Sequence, residues 1–139
     1  MQEPSSSALR GDVTVAAGWR ASPARGRDGT SVARVVAVAR MARDIRVRIL
    51  KTIQGAGMGH VGGDLSVTDI LATLYGAVLN IDPLDPNNPD RDRMILSKGH
   101  CSAALYTTLA LCGFFDPARL DSFMAPMSPL ITSRAPSWS

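Results

Sequence analysis

Long apolar runs and a cysteine framework are what this 139-residue chain lacks. No stretch approaches the roughly 18 apolar residues that a membrane-spanning helix needs. Residues 1–30 have no apolar central region, which excludes a secretory signal. Their Ser and Arg content is compatible with an organellar transit peptide, but a disordered leader is the better reading. Cys101 and Cys112 are the only cysteines. If both sat on one helix they would share a face about 16 Å apart, beyond the reach of a disulfide. Two unpaired thiols suit a reducing cytosol, so a cytoplasmic location is expected.

Lysine is also scarce: thirteen of the fifteen basic residues are Arg, and nine of those lie between Arg10 and Arg48. Over that stretch the acids are Asp12, Asp28 and Asp44. A basic arm for nucleic acid would interleave its cations with a series of aromatics that stack on bases, and no such series is there. The arginines read instead as a solvated tail running into a solvated helix face. No nucleic-acid partner is expected, and no membrane contact.

What is present is an ordinary globular balance, with 45% hydrophobic and 19% charged residues. Residues 1–31 form an expected flexible leader without sustained periodicity. From about Val32, Val38, Met41, Ile45, Ile49 and Ile53 recur at three- and four-residue steps and predict an amphipathic helix. Asp44 and Arg48 are placed to pair across one of its turns. Gly55, Gly57 and Gly59 end it. A glycine-rich loop over residues 55–65 is expected next, followed by a helix from about Val67 to Leu79 opened by a capping-box-like Ser66 and Asp69. Pro83, Pro86 and Pro89 force an irregular connection. Residues 93–97 read as a short buried strand, and residues 102–111 as a helix stopped by Gly113. Asp116-Pro117 opens a last short helix through about Phe123.

Gly57-Met58-Gly59-His60-Val61-Gly62 spells the dinucleotide fingerprint, with Asp82 at a tempting distance. That fingerprint works only where the glycines follow a strand and open a helix. Here they follow a helix, so the match is a decoy. The loop does offer backbone without side chains around one imidazole, His60. His100, preceded by Gly99, repeats the arrangement at the end of the expected strand. A structural or loop histidine is the ordinary reading of either one alone. A metal pair lacks Cys, Asp or Glu at ligand spacing, so no metal ligands are assigned.

Taken together, two segments resemble the transketolase family of thiamin-diphosphate enzymes. Gly59-His60-Val61-Gly62-Gly63-Asp64-Leu65-Ser66 followed by Asp69-Ile70-Leu71 is similar to the family's GHxGGxLS and DIL motifs. Arg91-Asp92-Arg93-Met94-Ile95-Leu96-Ser97-Lys98-Gly99-His100 is similar to its RDRxxLSKGH motif. The likeness covers about residues 39–129 and is nearest to the N-terminal subunit of two-chain transketolases. It implies an α/β fold: the N-terminal part of a thiamin-diphosphate-binding (pyrophosphate-binding) domain, mostly helical in the portion present, over residues 32–130.

The resemblance also implies transfer of a two-carbon ketol unit between sugar phosphates. His60 and His100 become the expected catalytic residues. His60 is expected at the substrate's hydroxyl or carbonyl end, and His100 against the cofactor diphosphate and the donor sugar. Gly63 is a further expected cofactor contact, while Ser97 and Lys98 are given only the shaping of the turn that presents His100. The implied protein partners are a homologous chain and a C-terminal transketolase subunit. Mg2+ is expected for the family, but its Gly-Asp-Gly ligand segment is absent from this sequence. After Met127-Ser128-Pro129-Leu130 the likeness stops, and residues 131–139 are expected to be a non-family tail arising from a change of reading frame or gene model near Leu130. The competing readings are an inactive truncated remnant and a related thiamin enzyme such as a deoxyxylulose-phosphate synthase.

Overall fold

The computed structural model describes residues 9–26 and 30–131. Four α-helices carry the architecture: α1 (Val13–Arg20), α2 (Ser31–Ala56), α3 (Val61–Thr73) and α4 (Ser102–Cys112). Helix α3 continues into a π-turn at Leu74–Val78. Short 3-10 segments at Gly99–Cys101 and Pro117–Ser122 flank α4.

Helix α4 is buried nearly all round, which makes it the centre of the bundle. Tyr106, Leu109, Ala110 and Cys112 fill the space between α2, α3 and the segment after Gly113. On α2 the expected stripe is the packed one: Ile45 and Ile49 are fully buried, with Val38, Met41 and Ile53 against the same core. Gly57 in the left-handed conformation (φ 68°) closes α2, and Gly113 (φ 92°) closes α4. Gly113 has a second reason to be glycine. A Cβ there would lie 2.5 Å from the backbone nitrogen of Ala16.

That contact belongs to an element the sequence reading left out. Residues 9–26 were expected within a leader, yet Val13–Arg20 is a helix packed on the end of α4. Asp12 supplies its N-cap, accepting from Thr14 N and Val15 N at 3.0 Å. Trp19 is 7% exposed and sits in the main core. Its indole N–H donates to the Tyr75 carbonyl at 3.1 Å. Arg25 stacks 3.8 Å from the Trp19 ring centre and donates to Tyr75 O and Leu79 O, both at 3.2 Å. The π-turn leaves helix-end carbonyls without intrahelical partners, and these two side chains satisfy them. Residues 1–8 and 27–29 of the expected leader and the tail beyond Ile131 lie outside the described residues, while Thr30 and Ser31 open α2.

The arginines are used largely within the fold. Arg20 pairs with Asp82 (2.5 Å), Arg46 with Asp69 (2.6 Å) and Arg48 with Asp121 (3.1 Å). The expected Asp44–Arg48 pair does not form, because Arg48 is drawn to Asp121 and to the Pro117 carbonyl at 2.8 Å. Asp44 takes Arg43 instead, at 3.1 Å.

Two further expectations change. Residues 93–97 are extended but form no strand, since no other extended segment among the described residues offers a ladder. Met94 and Leu96 pack on the core while Ile95 is 88% exposed, the alternation of a strand without its neighbours. Helix α3 begins at Val61, six positions before the expected start at Val67, so Gly62 and Gly63, expected in a loop, are helical. Ser66 caps nothing; its hydroxyl donates back to Gly63 O at 2.8 Å.

Candidate active site

The early start of α3 decides where His60 stands. It is the N-cap residue of α3, with no side-chain bond to the first-turn N–H groups. His100 lies forty positions later in the 3-10 turn that leads into α4. The two imidazoles meet edge to face, with ring centres 4.8 Å apart and planes at 86°. Both residues are exposed. Two exposed histidines from different elements therefore lie side by side at the surface.

Glycine is what lets the two elements approach. A Cβ on Gly63 would lie 3.0 Å from the buried Cys101 Sγ and 3.5 Å from Lys98 Nζ. A Cβ on Gly62 would meet nothing within 4 Å, so the first turn of α3 is open on that side. Its N–H groups carry the positive end of the helix dipole. Lys98 reaches over the same turn and donates to the Ser66 hydroxyl at 3.3 Å. Cation, dipole and imidazoles all favour an anionic ligand with hydroxyl groups.

Beneath them lies Asp64, fully buried. Its Oδ1 accepts from Ala104 N at 2.9 Å, and Oδ2 has no hydrogen-bond partner among the described residues. Burial raises its pKa above the usual carboxylate value, against the opposing pull of the Ala104 N–H, His60 and Lys98.

The structure thus brings His60, His100 and Gly63 to one place. Asp64 and Lys98 join them, and the sequence reading gave neither a role at the site. With α3 started at Val61, the four-residue step from His60 to Asp64 would have put both on one helical turn. Lys98, two residues before His100, was visible but assigned only to the turn.

Residues 37–125 match the family model described as "Transketolase, thiamine diphosphate binding domain". The chain belongs to the transketolase family. It is 49% identical over 82 residues to the 6-deoxy-6-sulfo-D-fructose transketolase subunit of Clostridium sp. (strain MSTE9), covering 59% of this chain and 30% of that protein. It is 44% identical over 77 residues to a subunit of the apulose-4-phosphate transketolase of Phocaeicola vulgatus, covering 55% and 27%. It is 37% identical over 79 residues to the transketolase of Mus musculus, covering 57% and 13%. The chain spans less than a third of the length of each of these transketolases.

For a transketolase segment the fit to thiamin diphosphate divides in two. The open first turn of α3, with its N–H groups uncapped by His60, Lys98 and the histidines, suits a diphosphate and a polyol. The divalent cation of the family finds no counterpart, since no cluster of three or more His, Cys, Asp or Glu that could hold a metal exists among the described residues. Among those residues no helix is long and apolar enough to cross a membrane.

Proposed function

We propose that this chain supplies the two-histidine part of a transketolase centre that moves a two-carbon ketol unit between sugar phosphates. The observation that carries the reading is the His60–His100 pair, 4.8 Å apart on the open side of the α3 N-terminus. Thiamin diphosphate, when bound, supplies the electron sink for carbon–carbon cleavage.

The residues of this chain handle protons and orientation. An imidazole nitrogen can take or give a proton, so in this reading His60 accepts one from a substrate hydroxyl or donates one to its carbonyl oxygen. In this reading His100 donates to a diphosphate oxygen or to a donor-sugar hydroxyl. Gly63 lets the turn that carries Lys98 and Cys101 pack against α3, and in this reading its backbone contacts the cofactor. Metal ligands and the groups that grip the sugar phosphate are left to other sequence. The partners that fit are a second copy of the homologous chain and a complementary transketolase subunit. Sugar-phosphate substrates and two reduced thiols suit a cytoplasmic setting.

The test is a chimera in which residues 37–125 replace the matching segment of the Clostridium protein, assayed for ketol transfer with that protein's own partner. Transfer is expected to persist. His60→Ala or His100→Ala within the chimera should then lower kcat/KM by about 10²–10⁴, the usual contribution of a positioned acid–base group. Variants that stay within twofold of the unmutated chimera would overturn the assignment of the pair.

A further inference from the structure

The two histidines come from different elements, and something must fix one against the other. His60 caps α3, while His100 belongs to the turn before α4. Edge-to-face contact of two exposed rings does not by itself anchor one element to the other. Asp64 sits one turn into α3, where its backbone N–H donates to His60 O at 3.0 Å. Its side chain crosses to α4, and Oδ1 takes the Ala104 N–H at 2.9 Å.

Ala104 is the third residue of α4, and its N–H is one of the four that a helix start leaves unsatisfied. Cys101, the residue at the N-cap of α4, makes no side-chain cap bond. Asp64 therefore caps α4 from α3. The bond is wholly buried, so water cannot substitute for it. Beside it Gly63 and Cys101 are in the close contact already described, which sets the distance at which the two elements meet.

We infer that Asp64 is a positioning residue of this site: its carboxylate ties the first turn of α3 to the first turn of α4 and so fixes His60 against His100. The acceptor oxygen, rather than the charge, performs the task. An amide oxygen at the same place should hold the Ala104 N–H equally, and a side chain without an acceptor should not. The inference rests on reading the two histidines as the working pair, but its readout needs no catalysis.

The experiment is nuclear Overhauser spectroscopy on the 139-residue chain with labelled histidine, monitoring the cross-peak between the His60 and His100 ring protons. The unmutated chain should show the cross-peak and Asp64→Asn should keep it. Asp64→Ala should lose it while far-UV circular dichroism shows the helices intact. Should Asp64→Ala not fold, Asp64→Leu preserves the shape, removes the acceptor and is expected to lose the cross-peak in the same way. A role confined to stability would lower the thermal midpoint and leave the cross-peak in place, and that result overturns the proposal. Loss of the cross-peak in Asp64→Asn would overturn it equally. Active His60→Ala and His100→Ala chimeras would instead refute the functional reading and leave the tie standing.

Discussion

The indole N–H of Trp19 donates to the carbonyl oxygen of Tyr75 across 56 positions of sequence, at 3.1 Å. This one bond fastens the first helix to the π-turn at the end of α3, and Arg25 reinforces it by donating to the same oxygen. The N-terminal helix is thereby part of the core that supports the site.

Removing the Trp19 ring should be costly. Trp19→Ala is expected to destabilise the fold by about 3–5 kcal/mol, the range for deleting a large buried aromatic. Trp19→Phe should cost clearly less, because Arg25 still satisfies the Tyr75 carbonyl. Urea unfolding followed by far-UV circular dichroism reads both. Equal, negligible losses would show that α1 is not docked.

Alkaline lability is a second expectation. Burial pushes the Tyr75 phenol up to about 12 and holds the Cys112 thiol far above its ordinary range. Above about pH 9 the unfolded chain releases these protons, first from the thiol and then from the phenol. The native chain keeps them. The unfolded state then binds fewer protons, so stability falls as pH rises, by about 1.4 kcal/mol per pH unit for each group within its window. Urea midpoints measured from pH 8 to 11 should decline. Cys112→Ala should flatten the early part of that decline, and Tyr75→Phe the part above about pH 10. A midpoint independent of pH in the unmutated protein would contradict this.

The contact between Gly63 and Cys101 gives a third. Gly63→Ala sets a methyl 3.0 Å from Cys101 Sγ in a filled space. Overpacking of this kind costs about 1–3 kcal/mol. Cys101→Ala in the same chain should recover most of the loss, giving a coupling that independent sites would not show. A double-mutant cycle by thermal unfolding checks it. Strict additivity would mean that the two residues do not set the approach of α3 to the turn before α4.

Much of this was legible in the sequence where a single element carries its own signal. The stripe Val38, Met41, Ile45, Ile49, Ile53 located α2, and Gly113 marked the end of α4. Where the decisive contact lies far away in sequence, the reading failed. Gly62 and Gly63 look like loop because glycine is a poor helix former. Both are helical, and at Gly63 the close approach to Cys101 requires the missing side chain. Residues 93–97 have the composition of a strand, but pairing is not a property of one segment. Asp12 caps α1, but the helix is held in place by Trp19 finding the carbonyl of Tyr75, a contact that no local pattern signals. At the site, both histidines were recognisable from their motifs. Their 4.8 Å meeting was not, since it depends on how α3 packs against α4, where Asp64 reaches Ala104.

The most direct test of a site divided between this chain and other sequence is calorimetric titration of the purified 139-residue chain with thiamin diphosphate, with and without Mg2+. The described residues offer histidines, a lysine and an open helix turn, but no metal-holding cluster. The expected result is that Mg2+ adds nothing: any heat of binding is the same in its presence and absence. Saturable binding that requires Mg2+ would contradict the division, because the chain alone would then hold the cation together with the diphosphate.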